Sequence, residues 1–112
     1  MNLNFTEQLK TAGEHSRRRV YEQLWLELTI VGRDVWLRSD LQLSEKLEGL
    51  KWLNEIQHRV WGAHANAAGS APADLYATIQ HHAAQAAALK DIVAAACVRS
   101  LRVLTTTGME SE

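Results

Sequence analysis

The stretch from Val20 to Leu37, VYEQLWLELTIVGRDVWL, can be read in two ways, and the choice between them sets the fold class. Read as a helix, Val20, Leu24, Leu28, Val31 and Val35 recur at steps of three and four and form one apolar stripe. Leu26, Ile30 and Leu37 then form a second stripe on a different side. Read as strand, Leu24, Leu26, Leu28 and Ile30 alternate, Gly32-Arg33-Asp34 is a hairpin turn, and Val35, Leu37, Leu41 and Leu43 lie on the return strand. The Gln, Leu and Glu content from Glu22 to Leu28 favours helix, whereas Thr29-Ile30-Val31 favours strand. A lone hairpin would also leave two free edges and need a helix layer to cover it. We therefore read residues 5–38 as helix, with Gly32 as the point where it would break. A helix apolar on two sides must be covered twice, by its own bundle and by something else.

The rest of the chain extends this all-α reading. One proline, Pro72, and six glycines in 112 residues leave little punctuation, so the elements should be few and long. From Ser44 to Ala67, Leu50, Leu53, Ile56 and Val60 share one face, with Ser44 as the expected N-cap and Glu45 and Glu48 in the first turn. Gly69-Ser70-Ala71-Pro72 is a short turn between antiparallel neighbours. Ser70 is placed to cap the next helix and Pro72 to occupy its first turn. Leu75, Ile79, Ala86, Leu89, Val93, Cys97 and Leu104 predict one unbroken last helix, about 45 Å long. Fifteen alanines between Ala63 and Ala96 read as a well-propagated packing helix, with a close helix–helix seam, within one chain or between two, as the sharper alternative. The expectation is a single domain over 1–104, three long antiparallel helices completed by dimerisation, and a disordered acidic tail over 105–112.

Composition narrows the function classes. Twelve basic against thirteen acidic residues leave a net charge of −1, which argues against nucleic acid and against an anionic membrane surface. No apolar run is long enough to span a bilayer, and Met1 to Glu7 lack the pattern of a signal peptide. With Cys97 as the single cysteine, the expected location is the cytoplasm. No phosphate-binding glycine loop, Cys-x-x-Cys, His-Glu-x-x-His or nucleophile elbow is present, so no cofactor and no metal is expected.

Asn54-Glu55-Ile56-Gln57-His58-Arg59 is the most polar segment on a helix with a packed face. Gln57 and His64 project toward the packed side and need partners there, and Arg33 and Asp34 are the expected ones. That makes Arg33, Asp34, Asn54, Glu55, Gln57 and His58 an inter-helix polar cluster. Glu55-x-x-His58 has the spacing of four-helix di-iron proteins but occurs once, where that architecture needs a second copy and two more carboxylates. His81 and His82 diverge by about 100° around a helix, so His82 reads as a hydrogen-bonded seam residue rather than a ligand. Cys97 reads as an inert packing residue. Arg17-Arg18-Arg19 reads as a solvated turn paired with Glu14 and Glu22, with a phosphate or acidic partner as the alternative. Trp25 and Trp36, eleven residues apart, line up off the main stripe. With Leu26, Ile30 and Leu37 they are the expected interface.

Arg59-Val60-Trp61-Gly62-Ala63-His64 carries Arg-x4-His, which resembles the spacing in HEPN domains, small all-helical proteins many of which cut RNA as dimers. The resemblance covers these six residues, and Val60 stands where such domains usually carry a polar residue. It implies that Arg59 would stabilise a developing phosphorane charge while His64 acts as general acid or base. The principal expectation is instead a non-catalytic interaction or regulatory protein that works as a homodimer and binds a protein partner. The HEPN-like RNase and a ligand- or metal-binding bundle are the alternatives.

Overall fold

The computed structural model describes residues 3–69 and 71–107. It is all-α: α1 (Leu3–Thr11), α2 (Glu14–Leu37), α3 (Leu43–Ala65), α4 (Pro72–Ala83), a 3-10 turn (Ala87–Leu89), α5 (Lys90–Ser100) and α6 (Arg102–Thr107). No strand occurs among the described residues. The hairpin reading fails on burial. Leu24 and Leu28 are fully buried while Leu26 and Ile30 are 52% and 42% exposed, although a strand would put all four on one face. Val20, Val31 and Val35 are buried beside Leu24 and Leu28, as a 3.6-residue period requires.

The first run breaks at Ala12-Gly13, where Gly13 is extended, and not at Gly32. Gly32 lies inside α2, and a Cβ there would stand 3.0 Å from Leu53 Cδ2, so its bare backbone lets α3 approach closely. A five-residue corner, Arg38 to Gln42, turns the chain back into α3. Arg38 grips Asp40 there with two charge-assisted hydrogen bonds of 2.9 and 2.6 Å. The cap of α3 is Gln42, two residues before the expected Ser44. Its N–H donates to Glu45 Oε1 at 2.8 Å in a capping box. Pro72 opens α4 as expected, after Ala71, whereas the capping role foreseen for Ser70 lies outside the described residues.

The expected single last helix is divided. It stops at Ala83, Ala86 is extended, and the 3-10 turn leads into α5. Alanine propensity favours continuity, but an unbroken rod would run past the bundle and leave its apolar line uncovered. The break lets α4 pack on α1 and α3 while α5 returns along α2. It buries Ala86 and Leu89 and brings the Ala88 Cβ within 3.6 Å of a Cβ placed on Gly49, a small-residue seam formed within one chain. Helix continues to Thr107, three residues beyond the expected domain end. Residues 108–112 of the expected tail lie outside the described residues.

Packing closes around α2, with α3 on one side and α5 on the other. Phe5 and Tyr76 meet at 5.2 Å between ring centroids and dock α1 on α4. Arg17 donates to the Ala12 carbonyl at 2.9 Å and the Ala67 carbonyl at 3.0 Å, tying the α1–α2 corner to the α3–α4 turn. Burial raises the Tyr21 hydroxyl pKa beyond its ordinary value, against the opposing charge of Arg17.

Two stability predictions follow from this packing. Leu28→Ala should cost about 3 kcal/mol in urea unfolding, because Leu28 sits wholly in the core. Gly62→Ala should stabilise by about 0.5–1 kcal/mol, since Gly62 lies inside α3 with nothing within 4 Å of an added Cβ. A loss at Gly62 would contradict the open helical surface described for it.

Candidate functional site

The candidate site is built where α2 and α3 face each other. On α2, Glu22, Trp25 and Thr29 follow one another by three or four residues, and on α3 both Gln57 and His58 lie three or four residues from Asn54 and Trp61, with His64 three beyond Trp61. Each row is therefore one helix face. The helices run antiparallel, so equal steps along one are matched by equal steps back along the other. Glu22 meets His64, Trp25 meets Trp61, Thr29 meets Gln57 and Gly32 meets Leu53.

Trp25, Asn54, Gln57, His58 and Trp61 line a cavity of about 350 Å³. The Trp25 and Trp61 rings lean together at 5.9 Å and 58°. Trp61 also stacks on the His64 imidazole, 4.6 Å apart and within 8° of parallel. Gln57 Nε2 donates to the Thr29 hydroxyl at 2.9 Å and the Trp25 carbonyl at 3.2 Å. His64 Nε2 shares a 2.9 Å hydrogen bond with Glu22 Oε2, and Arg18 Nε donates to the His64 carbonyl at 3.3 Å. The groove thus has an aromatic wall and fixed polar groups, and none of its lining residues carries a formal charge with His58 neutral.

The expected cluster is only partly gathered. Asn54, Gln57 and His58 line the groove, but Arg33 and Asp34 do not reach Gln57. They pair with each other at 3.6 Å in solvent, because the antiparallel register sets that level of α2 against Leu53. Glu55 is exposed outside the cavity, and among the described residues no three His, Cys, Asp or Glu side chains could hold a metal ion.

Arg59 and His64 part company. Arg59 lines a second cavity of about 280 Å³ with Asp74 and Thr78, between α3 and α4, while His64 turns to α2. Five residues of helix set them about 140° apart, so one chain does not bring them to a shared cleft. His82 lies in the seam, stacked on Trp52 at 5.4 Å, but among the described residues neither of its buried ring nitrogens makes the expected hydrogen bond. Cys97 is buried, and burial pushes its thiol up to about 12, so it is not a ready nucleophile at neutral pH.

Of the expected interface residues, Leu26, Ile30, Trp36 and Leu37 are exposed. Trp25 is not among them: it is half-buried against Trp61. The Lys46 ammonium stands 5.6 Å over the Trp36 ring and donates to the Trp36 carbonyl at 2.8 Å. The Arg17-Arg18-Arg19 run diverges. Arg17 binds two carbonyls, Arg18 pairs with Glu14 at 3.1 Å, and Glu22 goes to His64 instead. Residue type alone did not single out Glu22 and Thr29. Their signal is the three- and four-residue spacing shared with Trp25, legible once α2 and α3 are laid antiparallel.

On the other side of α2, Arg99 Nε donates to Glu27 Oε1 at 2.8 Å and Gln23 Nε2 to Glu27 Oε2 at 3.2 Å. The Arg99 hydrogen bond is the main cause holding the Glu27 carboxyl below the ordinary carboxylate range, against an opposing cost of burial.

Compared with known proteins, the chain matches no family model, no curated protein and no solved structure.

A pH prediction follows from the Arg99–Glu27 pair. A carboxyl lowered on folding adds stability that is full above its ordinary value of 4.5 and is lost as pH falls through the lower folded value. Wild type should therefore exceed Arg99→Gln in Tm at about pH 6, and the gap should narrow toward about pH 3. A gap that widens with acid would refute the assignment.

Proposed function

We propose that this chain is a small helical interaction protein, without catalysis of its own, that acts as a homodimer and regulates a protein partner through the surface of α2. The observation that carries the reading is the division of α2. Its inner stripe is wholly buried, while Leu26, Ile30, Trp36 and Leu37 stand 42–68% exposed on the helix. Leu26 and Leu37 are eleven residues apart, so the row runs about 16 Å. Leu43 and Leu47, also exposed, add apolar surface at the start of α3. Contiguous apolar patches beyond a few hundred Å² are rare on soluble monomers and mark interaction sites.

A second copy is the simplest cover. In a two-fold pairing the same face meets itself, and an axis near the middle of the row sets Leu26 of each copy toward Leu37 of the other. The formal charge of −1 opposes self-association little. Among the described residues no helix is long and apolar enough to cross a membrane. One buried, unpaired cysteine suits the reducing cytoplasm, where we place the protein.

Light scattering coupled to size exclusion tests the reading. The wild type should elute with twice the mass of one chain at about 50 µM, and Leu26→Glu/Ile30→Glu should give the single-chain mass with unchanged helical circular dichroism. A wild type of single-chain mass throughout that range would overturn the homodimer.

A further inference from the structure

The recess between α2 and α3 holds unused hydrogen-bonding capacity beside its aromatic wall. The Thr29 hydroxyl donates its hydrogen to the Trp25 carbonyl at 3.1 Å, so toward Gln57 it acts as an acceptor. Gln57 Nε2 in turn commits both its hydrogens, one to Thr29 and one to the Trp25 carbonyl. Two acceptors on α2 therefore fix which end of the Gln57 amide faces them. Its Oε1 is left as an oriented acceptor with no partner among the described residues. Asn54 and His58, which line the same recess, likewise make no hydrogen bond among the described residues. Both indoles keep open surface at this place, since Trp61 is 50% exposed and Trp25 is half-buried.

We propose that this recess binds an uncharged, planar heteroaromatic ring that carries an N–H beside a C=O on one edge, the chemistry of an oxopurine or oxopyrimidine base. No Asp, Glu, Lys or Arg is among its described lining residues, so a charged group would enter without a counter-ion. Its volume of about 350 Å³ lies at the small end of the roughly 300–1,000 Å³ of small-molecule pockets. The indoles meet at 58°, so a flat ring stacked on one turns its edge toward the other, and aromatic pairs prefer these two arrangements. Asn54 and Gln57 are three residues apart on α3, which sets their amides side by side. Gln57 Oε1 accepts from the ring N–H, and the Asn54 amide donates to the ring carbonyl. An apolar side chain would instead bury these amides unpaired. A quaternary ammonium finds no carboxylate here, and no gap between rings whose centroids are 5.9 Å apart. This inference does not depend on the homodimer.

The test is a titration of the full chain with inosine, following the indole Nε1–H signals by NMR. The Trp25 and Trp61 signals should move saturably, while those of Trp36 and Trp52 stay put. Trp61→Ala should weaken binding about tenfold and Asn54→Ala roughly fivefold. Both side chains are exposed, and helical circular dichroism checks that each variant keeps its fold. Purine riboside, the same ring system without the N–H and C=O edge, should bind roughly tenfold more weakly than inosine. Hypoxanthine and inosine monophosphate then separate a free base from a nucleotide as the source of the ring, and saturable binding of either at these indoles supports the site. The proposal is overturned by the absence of a saturable shift at Trp25 and Trp61, or by equal shifts at Trp36 and Trp52. Purine riboside or ribose binding as tightly as inosine overturns it, as does unchanged affinity in either folded variant. Tighter binding of a single-stranded oligonucleotide than of inosine would overturn the small-molecule assignment.

Discussion

Burial of the inner stripe of α2 is the constraint from which the rest of the structure follows. Val20, Leu24, Leu28, Val31 and Val35 are removed from water along nearly the whole helix. One neighbour cannot cover so broad a stripe, so α3 takes one side and α5 the other. This demand explains why the alanine-rich last run gives up continuity after Ala83. Ala84, Gln85 and Ala86 leave the helical path while their N–H groups still donate to the Gln80, His82 and Ala83 carbonyls. The turn returns α5 against α2 and buries Leu89, Val93 and Cys97. Small residues make the closure tight, with Gly32 admitting Leu53 and Gly49 admitting Ala88.

The same arrangement decides what is left for function. With two sides of α2 covered, a third faces solvent and carries Leu26, Ile30 and Leu37. The seams between covered and open sides become grooves. Toward α3 the seam is aromatic, with no Asp, Glu, Lys or Arg among its described lining residues, and is closed by Gln57 against Thr29 and by His64 against Glu22. Toward α5 and α6 it is lined, among the described residues, by Arg19, Arg99 and Arg102 with Glu27 between them. Two chemically different recesses therefore flank one helix, and the apolar row lies on its outer face.

Much of the fold was legible in the residues from 20 to 37. The burial order of Leu24, Leu26, Leu28 and Ile30 is the one a helix with two stripes demands, and the exposed row was named from its spacing alone. The inner face of α3 was legible in the same way, through Leu53, Ile56 and Val60. The polar cluster was read less well. Asn54, Gln57 and His58 do share a recess, but Arg33 and Asp34 were assigned to Gln57 from residue type. Which turn of α2 faces which turn of α3 depends on the length and shape of the corner from Arg38 to Gln42. The helical period does not contain that information. Arg59 and His64 illustrate the same limit, since a six-residue spacing says nothing about which neighbour each side chain meets.

The amino-acid sequence by itself determined that the chain is helical, which stripe of each long helix is apolar, and that α2 has more apolar surface than one face can hide. These are local properties, set by backbone propensity and by a period of 3.6 residues. Tertiary structure alone decided where the last run breaks, how α2 and α3 are registered, and that Arg19, Arg99 and Arg102 share one cleft. Those outcomes depend on contacts between residues far apart in the chain. There, the free energy of covering apolar surface outweighs the local preference of any single helix.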